Sequence, residues 1–262
     1  KKGWQEPAFD DSGWDTAAVL VPHGAPPWGP VGEKNNLRLP PPPYLRHEFV
    51  LPATPRRAVL HATALGLYDI RINGTRLSQG ELRPGWADFR HRTWAESYEV
   101  TEQLTSGRNA IGAILGDGWY AGYVGGGRTR NRYGGEPRLR LQLELLYADG
   151  TRRRIETGPE WRAAYGPIRE SDLQMGERFD ARRRMNGWDA PGYDDSDWNP
   201  VVVDDPRVPV QSHPGVPVRR QQEIPSQSVR RVSPGVHIFD LGQNMVGWVR
   251  LAVNAPRGSE IR

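Results

Sequence analysis

Apolar and polar residues alternate along most of this chain, in short runs broken by Gly, Pro, Asn and Asp. This period-2 pattern belongs to strands with one buried face. Leu139-Arg140-Leu141-Gln142-Leu143-Glu144-Leu145 predicts a strand that buries its leucines and exposes Arg140, Gln142 and Glu144. Asp149-Gly150 then turns the chain back toward Thr151–Ile155. Tyr44–Leu51 and Ala58–Leu65 read as further strands, as does Ala17–Val21. Leu67–Leu77 alternates up to Asn73-Gly74, a pair suited to a type I′ hairpin turn because both central residues need positive φ. Asn73-Gly74-Thr75 is also a glycosylation sequon, but the hairpin accounts for more of the surrounding sequence. Val100–Asn109 predicts one helical turn closed by Gly107, followed by a mostly apolar strand, Ala110–Leu115. Pro40–Pro43 stays extended and outside any sheet interior. Val208–Pro225 reads as a Pro-rich linker or irregular edge, and His237–Asp240 and Gly247–Val253 as two strands joined by Leu241–Val246. No other segment has helical periodicity. The expected fold is all-β: an antiparallel jelly-roll (galactose-binding-like) β-sandwich, followed by the truncated start of a second β-sandwich.

The chain also repeats itself. Gly3–Trp14 returns as Gly187–Trp198 at a constant offset, with Gly, Trp, Pro, Asp-Asp-Ser and the final Trp identical. Recurrence at domain spacing indicates two related modules in tandem. We expect a first sandwich over residues 1–184, with its core at 44–180. Residues 185–262 would then be a linker and the incomplete start of the second, so the chain reads as a piece of a longer protein. Asp10, Asp11, Asp194 and Asp195 suggest a metal or catalytic pair. The alternative is an Asx-turn whose tryptophans anchor it in the core, and adjacent carboxylates on an extended chain point to different sides.

Composition narrows the function. Thirty-five basic against 31 acidic residues give a net charge of +4, mild for a nucleic-acid partner. Arg152–Arg154 and Arg182–Arg184 read as solvated strand ends. Ten tryptophans argue against disorder, and the absence of Cys excludes disulfides and thiolate metal sites. The six histidines have no metal-ligand spacing. No apolar run reaches membrane-spanning length, so no membrane partner is expected; the compartment stays open between cytoplasm and secretion.

Five stretches, in order, resemble the non-catalytic N-terminal region of bacterial α-L-rhamnosidases of glycoside hydrolase family 78: Tyr44–Phe49, Ala64–Tyr68 with Asn73-Gly74, Pro84–Phe89, Leu115–Gly122 and Phe239–Trp248. The resemblance implies a parent enzyme that hydrolyses terminal α-L-rhamnose with an inverting carboxylate pair on an (α/α)₆ barrel. Nothing here has that barrel's helical periodicity, so no catalytic residue is expected and the fragment alone should be inactive. The implied partners are an L-rhamnose-containing glycan and the catalytic domain of the same polypeptide. In some relatives the sandwich matching residues 44–180 is a calcium-dependent rhamnose-binding module of carbohydrate-binding module family 67.

Gly116–Tyr123, leading into Val124–Gly127, sets aromatic residues between glycines, which lets a flat ring stand clear of the backbone to meet the apolar face of a deoxy sugar. Trp86, Trp119 and Tyr120 are the candidate stacking rings. Asp88, Asp117 and Asn131 would fix hydroxyls. Asp88, Asp117, Asn131 and the carbonyl of Pro137 are of the types that bind Ca2+, although Arg90 and His91 beside Asp88 are not oxygen donors. No cofactor is required by this reading. Two alternatives stand beside it: a scaffold in which Trp119 plugs the sandwich end or docks a neighbouring domain, and an accessory domain of another glycosidase, such as a family 2 galactosidase. Gln243, Asn244 and Trp248 would shape a sandwich or an inter-domain contact.

Overall fold

In chain order the alternating runs become β1 (Pro43–Leu51), β2 (Arg57–Leu65), β3 (Leu67–Ile72), β4 (Thr75–Arg76), β5 (Gly80–Glu81), β6 (Thr93–Glu99) and β7 (Gly107–Gly116), then a one-turn helix, α1 (Gly118–Ala121). There follow β8 (Arg138–Leu146), β9 (Arg152–Glu156), β10 (Arg162–Tyr165), β11 (Ile168–Asp172), β12 (Gly176–Phe179), β13 (Asn199–Pro200), β14 (Val210–Ser212), β15 (Val218–Arg219), β16 (Ser228–Ser233) and β17 (Val236–Asp240). This computed structural model describes residues 12, 39–77, 80–125 and 129–262. The chain divides into two compact units, Lys1–Pro40 and Pro41–Arg262. Apart from Ser12, the first copy of the repeated phrase lies outside the described residues, as do the expected strand Ala17–Val21 and Gly126 and Gly127.

Two sheets carry the second unit. One has strand order β13-β10-β1-β7-β3-β4, the other β14-β6-β2-β8-β9. Their pairings are antiparallel except β14 with β6. The result is the expected antiparallel β-sandwich. Alternation decides its core. Leu141, Leu143 and Leu145 of β8 are buried, whereas Arg140 and Glu144 are exposed. These leucines pack with Ala58, Leu60 and Ala62 of β2, Phe49 and Leu51 of β1, Ile111, Ala113 and Leu115 of β7, and Trp161. The Asn73-Gly74 turn has φ of 50° and 82°, as a type I′ hairpin requires. The Asn73 amide is also spent inside the fold. Its Nδ2 donates to the carbonyl of Gln103 at 2.8 Å and to Asn109 Oδ1 at 2.9 Å, and its Oδ1 accepts from the amide of Ala110 at 2.8 Å.

β1 presents two chemistries on its two faces. Phe49 and Leu51 enter the core; Tyr44, Arg46 and Glu48 point to the opposite side. There they meet the second copy of the repeated phrase. Trp188 stands edge-on to Tyr44 with ring centroids 5.0 Å apart, and Trp198 stacks on Trp188 at 6.3 Å. Gly112 of β7, paired with Arg46, leaves room for the Trp188 ring. Asp194 accepts from the amide of Ser196 at 3.1 Å, the Asx-turn expected there. Beyond the phrase, β13, β14 and β15 pair with β10, β6 and β5. Residues 185–219, expected as part of a linker and the start of the next module, therefore add β13 and β14 to the two sheets and β15 to β5.

β16 and β17 form a hairpin that pairs with no other strand among the described residues. The expected strand at Gly247–Val253 does not form. Its apolar residues Trp248, Val249, Leu251 and Val253 are all exposed, so the alternation there has no facing layer to bury it. The helical turn expected near Val100 is the 3₁₀ turn Thr101–Gln103, while α1 had no counterpart in the sequence reading.

Candidate functional site

The C-terminal ends of β2 and β7 and the start of β8 share one end of the sandwich, because Leu65 pairs with Arg138 and Gly116 with Leu67. Three loops meet there: 82–92, 117–125 and 129–137. Leu65, Ala87, Phe89, Tyr120 and Ala121 form a small buried cluster, with Trp94, Trp119, Tyr133 and Val208 packed on its margin. Gly118, with φ of 52°, opens α1 and turns Trp119 outward while Tyr120 turns in.

The sequence-derived candidates separate into two groups. Trp86 is 54% exposed and lies parallel to Trp119, with centroids 6.0 Å apart and planes 3° from parallel. Trp119 is half-buried, so the stacked pair presents Trp86 to solvent with Trp119 against it. The position of Trp86 is fixed from below, since Trp94 Nε1 donates to its carbonyl at 2.8 Å. Tyr120, by contrast, is buried, edge-on to Phe89 at 5.4 Å. The expectation that it stacks on a ligand is therefore corrected: its side chain belongs to the packing beneath the platform, because strand-to-helix geometry sends Trp119 and Tyr120 to opposite sides.

The polar candidates are held by arginines. Both oxygens of Asp88 accept from Arg90, at 2.8 Å each, and this hydrogen-bonded guanidinium lowers the Asp88 carboxyl to about 2. Asp117 is buried and its Oδ2 accepts from Arg130. Burial pushes its carboxyl above the usual range, the Arg130 charge opposes that, and Asp172 adds to it. Asn131 is exposed, with φ of 62° and its amide bonded to the carbonyl of Ala121 at 3.0 Å. The Pro137 side chain lies beside Gly66, whose φ of 119° lets its backbone approach Gly116 and Asp117. This donor set does not fit calcium. Two of its carboxylates already carry a guanidinium counter-charge, and no group of three or more acidic or histidine side chains converges among the described residues.

Sequence reasoning missed three contributors. Trp94 sits in β6, where Thr93 and Glu96 are the buried residues, so apolar alternation gives no signal. Tyr133 packs edge-on to Phe89 at 5.3 Å, and His213 against Trp94 at 6.2 Å; His213 lies in the Pro-rich segment read as a linker.

Residues 53–222 match the family model described as the α-L-rhamnosidase N-terminal domain. The chain belongs to the α-L-rhamnosidase N-terminal domain family. Residues 230–262 match a second description, the bacterial α-L-rhamnosidase concanavalin-like domain. An α-L-rhamnosidase of Streptomyces avermitilis is 48% identical over 266 residues, which cover 99% of this chain and 25% of that protein. The crystal structure of Streptomyces avermitilis α-L-rhamnosidase complexed with L-rhamnose superposes with a TM-score of 0.76 at 46% identity, over 94% of this chain and 24% of that one. Native α-L-rhamnosidase from Aspergillus terreus gives 0.74 at 34% identity, over 82% of this chain and 25% of that one. This member of the rhamnosidase N-terminal family thus spans about a quarter of the length of the relatives it matches.

Proposed function

We propose that this chain is a non-catalytic part of an α-L-rhamnosidase that binds or positions L-rhamnose-containing glycans beside a catalytic domain of the same polypeptide. The observation that carries this reading is the exposed Trp86–Trp119 platform. The outer ring of this stacked pair, backed by the ring behind it, offers a rigid apolar face. A 6-deoxy sugar has a methyl group and a C–H face to lay against it, at little cost in side-chain entropy. Asn131 and the neighbouring backbone polar groups remain to meet hydroxyls. Affinity belongs in the roughly micromolar to millimolar range, because one sugar has few atoms and must shed water from several hydroxyls. Calcium has no part in this mechanism, given the arginines on Asp88 and Asp117.

Calorimetry with millimolar L-rhamnose, with and without added calcium, tests it. Heat is expected in both conditions and is lost in Trp86→Ala, whose circular dichroism should match the parent. No heat from the folded parent protein would sink the proposal.

The scaffold reading has one observation in its favour: Trp119 is half covered by Trp86. On that reading the platform seats a neighbouring domain, and tryptophan fluorescence stays unchanged when sugar is added.

A further inference from the structure

The chain contains two Asn-Gly pairs, Asn73-Gly74 and Asn186-Gly187, and the fold treats them in opposite ways. In such a pair the backbone nitrogen of the glycine can attack Cγ of the asparagine, because glycine has no side chain to stand in the way. At the first pair this path is blocked. The Asn73 amide is engaged with Gln103, Asn109 and the backbone of Ala110, and the Gly74 N–H donates to the carbonyl of Asp189 at 2.9 Å. The second pair is bare. Asn186 and Gly187 are both exposed, and among the described residues neither the Asn186 side chain nor the Gly187 N–H makes a hydrogen bond. A Cβ placed on Gly187 would meet nothing within 4 Å. One bond closes the turn around the pair, from the Trp188 N–H to the carbonyl of Met185 at 3.2 Å, the long end of the usual range. Both ends of that turn are seated in the fold. Met185 and Trp188 pack in one cluster with Tyr44, and the Trp188 carbonyl accepts from Arg46 Nε at 2.9 Å.

We propose that Asn186 is a site of spontaneous deamidation, and that its isoaspartate product loosens the hold of Trp188 on β1. In the first step a bond forms between Gly187 N and Asn186 Cγ. Gly187 N gives its proton to solvent, and the Cγ–Nδ2 bond breaks with release of ammonia. Water then opens the cyclic imide. Addition at Cγ gives aspartate. Addition at the main-chain carbonyl gives isoaspartate, in which the chain runs through Cβ and Cγ and is longer by an atom. The added atom falls between Met185 and Trp188, so the turn bond and the seat of the Trp188 ring no longer fit together.

The test ages the full chain in mildly alkaline buffer, with and without urea. Peptide mapping by mass spectrometry locates the modification, and an isoaspartyl-specific methyltransferase counts the isoaspartate. In the folded chain Asn186 should convert about a hundredfold faster than Asn73, since each of the hydrogen bonds holding the Asn73 side chain is worth about fivefold in the opening equilibrium. In urea the two pairs should react at similar rates. The aged chain should gain a lower-melting fraction that grows with isoaspartate content. That fraction should never appear in Asn186→Gln, whose longer side chain cannot close the same five-membered ring. Equal rates at the two pairs in the folded chain, or an Asn186 that reacts only in urea, would overturn the site. An isoaspartate fraction that melts with the unaged protein would overturn the loosening of Trp188.

Discussion

A guanidinium inside a protein is tolerated when its N–H groups all find acceptors, and Arg46, 1% exposed, comes close to that limit. Its Nε donates to the carbonyl of Trp188 at 2.9 Å, its Nη1 to Asp195, and its Nη2 to Glu48 at 2.7 Å and the carbonyl of Ala190 at 3.0 Å. One side chain thus fastens the repeated phrase to β1. Arg46→Ala should cost about 3–5 kcal/mol, the range for removing one partner of a buried ion pair, and Arg46→Lys should recover only part, because an ammonium cannot reach four acceptors in one plane. Urea titrations measure both, and a loss below 1 kcal/mol for alanine would show the phrase to be held by its tryptophans alone. The Asx-turn at Asp194 was legible because its donor is two residues away; the Arg46–Asp195 pair was not, because 149 residues separate its partners. On the other face of β1, His47 stacks on Phe49 at 5.8 Å and on Trp161 at 5.6 Å. Burial lowers its pKa below 6.5; Glu160 opposes this, and the charges of Arg46 and Arg153 push it further down. The unfolded chain therefore takes up the proton first. The His47 contribution to stability is complete above about pH 6.5 and is lost as pH falls through the folded value. Melting temperature should drop from pH 7 to pH 5.5, and His47→Phe, which keeps a ring on Phe49 and Trp161, should flatten that drop.

At the level of strands, what could be read from sequence was whatever buries apolar residues at every second position. β1, β2, β3, β7, β8, β9 and β17 satisfy that rule or lie next to an unmistakable turn, and each was placed within two or three residues. β6 breaks it: its buried positions are Thr93 and Glu96. Thr93 is satisfied by the carbonyl of Ala64 at 3.0 Å and Glu96 by Arg83, partners that only the assembled fold supplies, and Glu96 also accepts from Tyr98 two residues along. The same limit applies to the site. Glycines around Trp119 announced an exposed ring, but which of Trp119 and Tyr120 turns outward depends on α1, four residues long and without a periodic signal. Arg90 was visible as a sequence neighbour of Asp88, not as its partner, and Arg130 stands 13 residues from Asp117 in another loop. Gly112 shows how an element can carry a requirement its own pattern hides. Within β7 it looks like a weak point in a strand, yet a Cβ there would stand 2.6 Å from the ring of Trp188. Gly112→Ala should displace that indole and destabilise the fold by about 1–3 kcal/mol, as overpacking does. A red-shifted tryptophan emission should accompany the loss; an unshifted spectrum with full stability would mean the ring moves aside freely.

For the whole molecule, the question is where one module stops. The repeat placed the boundary at 184, yet Trp188 and Trp198 are buried on the first sandwich, and β15 is the last element paired with it, through β5 at Gly80 and Glu81. The two family matches end at 222 and begin at 230. We propose that the boundary lies between them, at residues 223–229. The repeated phrase then completes the module before it instead of opening the module after it, with its two tryptophans and Asp195 filling the outer face of β1 and β7. The proposal separates two shortened chains. One ending at Arg184 loses both tryptophans and the strands β13 to β15, exposes Tyr44 and strands the Arg46 guanidinium without Asp195. Losing even one such aromatic contact costs about 3 kcal/mol or more, so this chain should fail to give a cooperative melt. One ending at Pro225 loses only the β16–β17 hairpin, the exposed residues after it, and a surface pair between Arg250 and Glu223 at 2.9 Å. Pairs of that kind contribute about 0–1 kcal/mol. Its melting temperature should stay within about 2–4 °C of the full chain, the shift that 1 kcal/mol produces at this size. Its solubility should rise, because Val229, Ile238, Phe239 and Trp248, all about half exposed, leave with the removed segment. Melting curves followed by circular dichroism decide it. If the chain ending at Arg184 melted as sharply as the one ending at Pro225, residues 185–219 would be passengers on the sandwich, and the boundary would return to 184.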